Sequence, residues 1–231
     1  MATVKALVAQ GARVTAVARG GDRLRALEAV VGKGLVVRQG DAADPAFLKE
    51  ILRQQMPTLV VLAAGVTPRV AHIDEFDWES FSEAWHSDLK AAFLLVTSAL
   101  TLPLRPGSTI VIVSSGAAVR GSPLSGGYAG AKRMQWFLAN YAQSRSDARG
   151  LGIRFIAVVP EQLITGTTIA ANASSAYAAM QGITAEEFMG RYDVQLTPDT
   201  VADAIVAALR GDVDPGVNVI AIRGTGIEAL T

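Results

Sequence analysis

The stretch Tyr128-Ala-Gly-Ala-Lys132 sets a phenol and an ammonium four residues apart, near the start of a segment whose periodicity predicts a helix over about 126–146. On a helix that spacing puts both side chains on one face. An ammonium within about 4–6 Å favours phenolate over phenol, so the pair could hold and release a proton. With four Tyr and five Lys in the chain, a chance Tyr-x-x-x-Lys arises in roughly one such chain in ten, so the motif needs context. Taken alone, it is a surface tyrosine and lysine on a helix. Thirteen residues before Tyr128, Ser115 closes "STIVIVSS" (108–115), an apolar run read as a buried strand. Ligands of open α/β sheets bind beyond the carboxyl ends of strands. A strand-end hydroxyl, a tyrosine and a lysine meeting there form an acid–base group without histidine, suited to moving a proton on or off an alcohol or carbonyl oxygen. Ser114 and Ser115 are also ordinary strand-ending turn formers.

Positioning those groups requires a scaffold, and the chain alternates helical and extended segments throughout. Residues 2–10 read as a short amphipathic helix, stopped at Gly11, and Arg13–Ala18 as a strand. A helix from about Asp22 to Val31 follows, then a strand from Leu35 to "QGD". Asp44-Pro45 is an N-cap with proline at the first helical position, opening a helix to about Gln55. "TLVVLAAG" (58–65) is a doubly buried strand, 77–101 a long helix, and "IRFIAVVP" (153–160) another strand. Residues 163–197 are rich in small residues and weakly periodic, and read as short helices and mobile loop, a lid region. A helix capped near Thr197 and a last strand at 217–222 end the pattern. The expected fold is α/β: a Rossmann-like, doubly wound, mostly parallel sheet with helices on both faces, in one domain spanning 1–231.

Composition narrows the chemistry. Half the residues are hydrophobic, and 21 basic residues balance 21 acidic ones, which argues against nucleic acid or an anionic membrane surface as partner. Without cysteine there are no disulfides, thiolate nucleophiles or zinc–thiolate sites. His72 and His86 share no ligand spacing, so no metal is expected. No apolar run reaches the roughly 20 residues of a membrane span, and no signal pattern opens the chain. A cytoplasmic protein acting on a small molecule is the plain expectation.

"IVIVSSGAA…GGYAGAK", followed by "IAVVPEQLITG", resembles the short-chain dehydrogenases/reductases, and the resemblance runs from residue 2 to about 224. It implies Tyr128 as catalytic acid/base, Ser115 as holder of the substrate oxygen, and Lys132 on the cofactor ribose, favouring the tyrosinate. Asp41, with Ala42, would meet the adenine; Ala64 and Gly65 would pass beside the ribose; Pro160, Leu163 and Thr165 would approach the nicotinamide. Asp88 stands where the family has its active-site asparagine, and ionised near Lys132 it would partly neutralise the ammonium. Two further departures are Leu62-Ala-Ala-Gly65 for Asn-Asn-Ala-Gly and Pro160-Glu161 for Pro-Gly. NAD-preferring sites carry an acid after the second strand, whereas an arginine accommodates a 2′-phosphate. Here Arg19 ends that strand with Arg23 beyond it, so NADP(H) rather than NAD(H) is expected. The implied function is an NADP(H)-dependent oxidoreductase interconverting an alcohol and a carbonyl. The alternative is a catalytically inactive relative kept as a binding or assembly protein. The family commonly forms homodimers or homotetramers through the two long helices.

By this resemblance Met1 falls just past the family's glycine-rich phosphate loop, so the first, central strand and that loop are missing. Removing a central strand leaves its neighbours about 10 Å apart, too far to pair. The expectation is therefore an upstream segment in the functional protein. For a complete 231-residue chain the expectation is a sheet closed across the gap, or another strand filling it. "GTGIEA" (224–229) imitates the glycine fingerprint after a strand, but no helix follows it, which argues against a circular permutation.

Overall fold

The computed structural model describes every residue except Pro103, Pro215 and Thr231. Helices and strands alternate as α1 (Ala2–Ala9), β1 (Val14–Ala18), α2 (Gly21–Val31), β2 (Leu35–Gln39), α3 (Pro45–Gln55) and β3 (Leu59–Leu62). Next come α4 (Trp78–Ala84), a π-helical turn (Trp85–Leu89), α5 (Lys90–Thr101), β4 (Thr109–Val113), α6 (Ala117–Arg120) and α7 (Gly126–Ala148). The chain ends with β5 (Arg154–Pro160), α8 (Thr168–Gln181), α9 (Ala185–Gly190), α10 (Pro198–Arg210), β6 (Val219–Arg223) and β7 (Gly226–Ala229).

Local chemistry sets several of these boundaries. Asp44 accepts the N–H groups of Ala46 and Phe47 ahead of Pro45, which starts α3. Thr197 accepts Thr200 N–H ahead of Pro198, and Gly211 at φ 87° ends α10. At α2 the cap is Gly20, and Asp22 instead sits in the first turn, paired with Arg25. The region 163–197 is more regular than its composition suggests. Thr167 caps α8 and a Thr184–Glu187 capping box starts α9, so two helices replace most of the expected loop.

Strands β3, β4, β5 and β6 pair in parallel, and β7 returns antiparallel to β6. "GTG" therefore forms a hairpin connection, and the residues after it make an edge strand. Successive residues of β4 face opposite layers: Ile110 and Ile112 pack with α3, α5 and α7, while Val111 packs with α10. Both layers are apolar, and Phe155 to Val159 of β5 are fully buried.

Strands β1 and β2 form a separate parallel pair. Val14 N–H bonds Gly34 C=O and Thr109 N–H bonds Thr58 C=O. By alternation, the backbone groups of Thr15 and Val17 then face away from β2, and those of Leu59 and Val61 away from β4. Among the described residues no strand lies between these two edges. The expected single sheet is thus divided in two, and the gap is neither closed nor filled. Side chains hold the β1–β2 pair in place instead. Val17 packs into the core that Val60 also joins, Thr15 Oγ1 donates to Gln55 Oε1 at 3.1 Å, and Arg210 of α10 reaches Gln10 after α1.

Among the described residues no helix is long and apolar enough to cross a membrane, and no group of three or more His, Cys, Asp or Glu side chains could hold a metal ion.

Candidate active site

Parallel pairing brings the carboxyl ends of β3, β4 and β5 to one edge, and the Ser-Tyr-Lys set gathers there. Ser115 follows β4, where its Oγ accepts Ala117 N–H at 3.2 Å at the start of α6. Tyr128 lies in the first turn of α7, and that turn is held closely against α4. A Cβ on Gly127 would lie 2.0 Å from the Phe81 carbonyl oxygen, so only glycine permits the approach. Trp85 Nε1 donates to the Gly127 carbonyl at 2.8 Å, fixing the entry to α7. Lys132 sits one turn later, its Nζ 5.5 Å from the centre of the Tyr128 ring.

Lys132 is nearly buried, and its Nζ lies 3.0 Å from Asp88 Oδ2 and 3.4 Å from the Val113 carbonyl. Asp88 comes from the π-helical turn, a distortion common at functional sites. Its Oδ1 accepts Val66 N–H and the Ser87 hydroxyl, both at 2.9 Å, so one carboxylate joins the segment after β3 to α7. A Cβ on Gly65 would fall 2.5 Å from Asp88 Oδ2, which accounts for glycine there. Gln135, fully buried, donates to the Asp88 carbonyl at 2.9 Å and steadies the turn from α7.

Ser115, Tyr128, Pro160 and Leu163 line one cavity of about 390 Å³, to whose wall α8 and α9 also contribute. The size suits a small organic ligand. Gly116 presses on the opposite wall: its N–H bonds the Pro160 carbonyl at 2.6 Å, and a Cβ would meet Glu161 Cα at 2.9 Å. Glu161 is paired with Arg223 of β6 at 2.5 Å, which fastens the segment after β5 to the last strands.

The remaining expected cofactor residues lie along the same edge but outside this cavity. Arg19 is exposed after β1, and Gln39 Nε2 donates to its carbonyl at 2.8 Å. Asp41 turns its carboxylate into its own loop, accepting Ala43 N–H at 2.9 Å, and Ala42 packs against the core. Ala64 and Gly65 are exposed beyond β3. Thr165 lies apart: its hydroxyl and N–H both reach the Leu196 carbonyl, at 3.2 and 2.9 Å. Sequence reasoning missed the pocket residues Tyr177, Phe188 and Arg191. Their only signal was an aromatic and cationic interruption of an Ala-rich stretch.

The layered α/β frame and strand-end site define a Rossmann-type protein. A family model described as enoyl-(acyl carrier protein) reductase matches residues 1–218. The chain belongs to the short-chain dehydrogenase/reductase family of oxidoreductases, which bind a nicotinamide cofactor. Its fold is similar to that of a levodione reductase, at TM-score 0.83 and 21% identity, covering 96% of this chain and 91% of that one. A sorbitol-6-phosphate 2-dehydrogenase from Erwinia amylovora aligns at TM-score 0.78 and 21% identity, covering 96% and 93%. An oxidoreductase from Burkholderia thailandensis aligns at TM-score 0.77 and 24% identity, covering 96% and 86%. No curated protein matches.

The donor set is compatible with such a cofactor. An ammonium has three donors, and Lys132 spends one on Asp88 and a long one on Val113, leaving one for a ribose hydroxyl. Arg19 is exposed and makes no ion pair among the described residues.

Proposed function

We propose that this chain is an NADP(H)-dependent oxidoreductase that interconverts an alcohol and a carbonyl on a small organic substrate. The observation that carries the reading is the shared cavity of Ser115 and Tyr128, with Lys132 one helical turn behind the phenol. The cofactor, when bound, supplies or accepts the hydride at the substrate carbon. Ser115 would hold the substrate oxygen by hydrogen bonding, and Tyr128 would give that oxygen its proton in reduction or take it in oxidation. Lys132 would hold a ribose hydroxyl and stabilise the phenolate left after transfer. Asp88 would position Lys132, and its negative charge would weaken that stabilisation. Pro160 and Leu163 would border the nicotinamide, with Thr165 further along the same segment; Ala64, Gly65, Asp41, Ala42 and Arg19 would follow the cofactor to its adenine end. Helices α8 and α9 would form the lid.

Exposed Phe93 on α5 and Tyr141 on α7, 52% and 59% accessible, support pairing of two copies through these helices. A cytoplasmic setting is part of the same reading. The Asp88–Lys132 pair favours a second reading, a binding or assembly protein without turnover. Tyr128→Phe separates the two. An oxidoreductase loses about 10²–10⁴-fold in kcat while keeping its circular dichroism, as expected for removal of a general acid–base. A protein whose variant and parent both fail to oxidise NADPH with any carbonyl substrate is the scaffold.

A further inference from the structure

We propose that the ligand of the 390 Å³ cavity carries an anionic group, a carboxylate or phosphate on an apolar body, which Arg191 receives. As a statement about substrate, this rests on the oxidoreductase reading; as a statement about binding, it does not.

Arg191 follows α9 in the wall of the cavity that Ser115 and Tyr128 also line. Its guanidinium carbon lies 3.7 Å from the centre of the Phe188 ring, and its Nη2 donates to the Tyr192 hydroxyl at 2.8 Å. Stacking fixes the plane of a guanidinium while leaving its remaining donors open to a planar or tetrahedral anion. Among the described residues no carboxylate lies within ion-pair distance of Arg191, nor of Arg69, which is stacked more loosely, 5.5 Å from the centre of the Phe76 ring. Glu161 is neutralised by Arg223 at 2.5 Å, and Arg69 lies beside Asp77, whose carboxyl it helps hold below the ordinary range after the stronger Ser80 hydrogen bonds. In Arg191 the cavity therefore presents a closely stacked cation without an ion-pair partner among the described residues, beside aromatic and aliphatic side chains that include Tyr177 and Met180. Charge-assisted, bidentate bonds from such an arginine are roughly twice as strong as neutral ones.

The test uses benzoylformate and its methyl ester, which share an aryl ketone and differ in the charge. Calorimetric titration of the wild-type chain is expected to show the acid binding tenfold or more tightly than the ester. Arg191→Gln is expected to erase that advantage and leave the ester unchanged, which also shows the pocket intact; Arg191→Lys should restore part of it. An ester that binds as tightly as the acid, an acid that does not bind, or a preference that survives Arg191→Gln overturns the proposal. NADPH-dependent reduction is read separately. Selective acid binding without turnover defeats the oxidoreductase reading and leaves the anion site standing; turnover that favours the ester does the reverse.

Discussion

The ammonium of Lys132 is paired at 3.0 Å with the carboxylate of Asp88, and the two side chains are 8% and 0% exposed. They come from sequence positions 44 residues apart, and the same carboxylate holds the backbone after β3 through Val66. The lysine that stands behind the candidate catalytic tyrosine is therefore also part of the internal framework.

Breaking a buried pair by removing one partner costs about 3–5 kcal/mol, because the other charge stays buried alone. Asp88→Ala is expected to lose about that much in urea unfolding. Asp88→Asn keeps one acceptor oxygen, which can serve Val66 or Lys132 but not both, and is expected to lose less than Asp88→Ala. With the opposing charge gone, Asp88→Asn should also raise kcat in steady-state assays.

Arg19 is the exposed cation at the end of β1. Replacing it by Glu would remove the proposed partner of a 2′-phosphate and supply an acceptor for a 2′-hydroxyl. Fluorescence titration is expected to show Arg19→Glu binding NADPH at least tenfold more weakly than wild type, with NADH bound as well or better.

Gly116 has no room for a methyl group, since the nearest atoms are backbone of Glu161 and Pro160 at 2.9 and 3.0 Å. Overpacking of this kind costs about 1–3 kcal/mol. Gly116→Ala is expected to lower stability by that amount in urea unfolding, and to raise KM by shifting the wall that carries Pro160 and Leu163.

Glu187 accepts Thr184 N–H and Oγ1–H in the capping box of α9, and these bonds hold its carboxyl below the ordinary value. Because the folded state favours the ionised form, this stabilisation is complete above the unfolded value and is lost as pH falls through the lower, folded one. Glu187→Gln is expected to lower Tm at pH 7, and the difference from wild type should shrink as pH falls below the usual carboxylate range near 4. A thermal melt at each pH checks it.

Local rules carried the reading of most elements. Asp44-Pro45 and Thr197-Pro198 start helices because caps and proline act over a single turn. Tyr128 and Lys132 share a face because four residues make about one turn, and this needs no knowledge of the rest of the chain. The regularity of α8 was hidden, since its Ala-rich sequence has little amphipathic contrast to reveal a buried side.

Nothing local announces the division of the sheet. Val14–Ala18 and Leu59–Leu62 read as strands whether or not a neighbour lies between them, because strand pairing is a relation between distant segments. The same holds for β7, which becomes a strand only by returning along β6. Sequence alone determined the kinds of element, their order and the shared helix face of Tyr128 and Lys132, each set by neighbours within a few residues. Tertiary structure alone decided that Asp88 claims Lys132, that Arg223 claims Glu161, and that Arg191 in the cavity wall is left without an ion-pair partner among the described residues. Charges separated widely in sequence find or miss one another only when the packed elements set the distance between them.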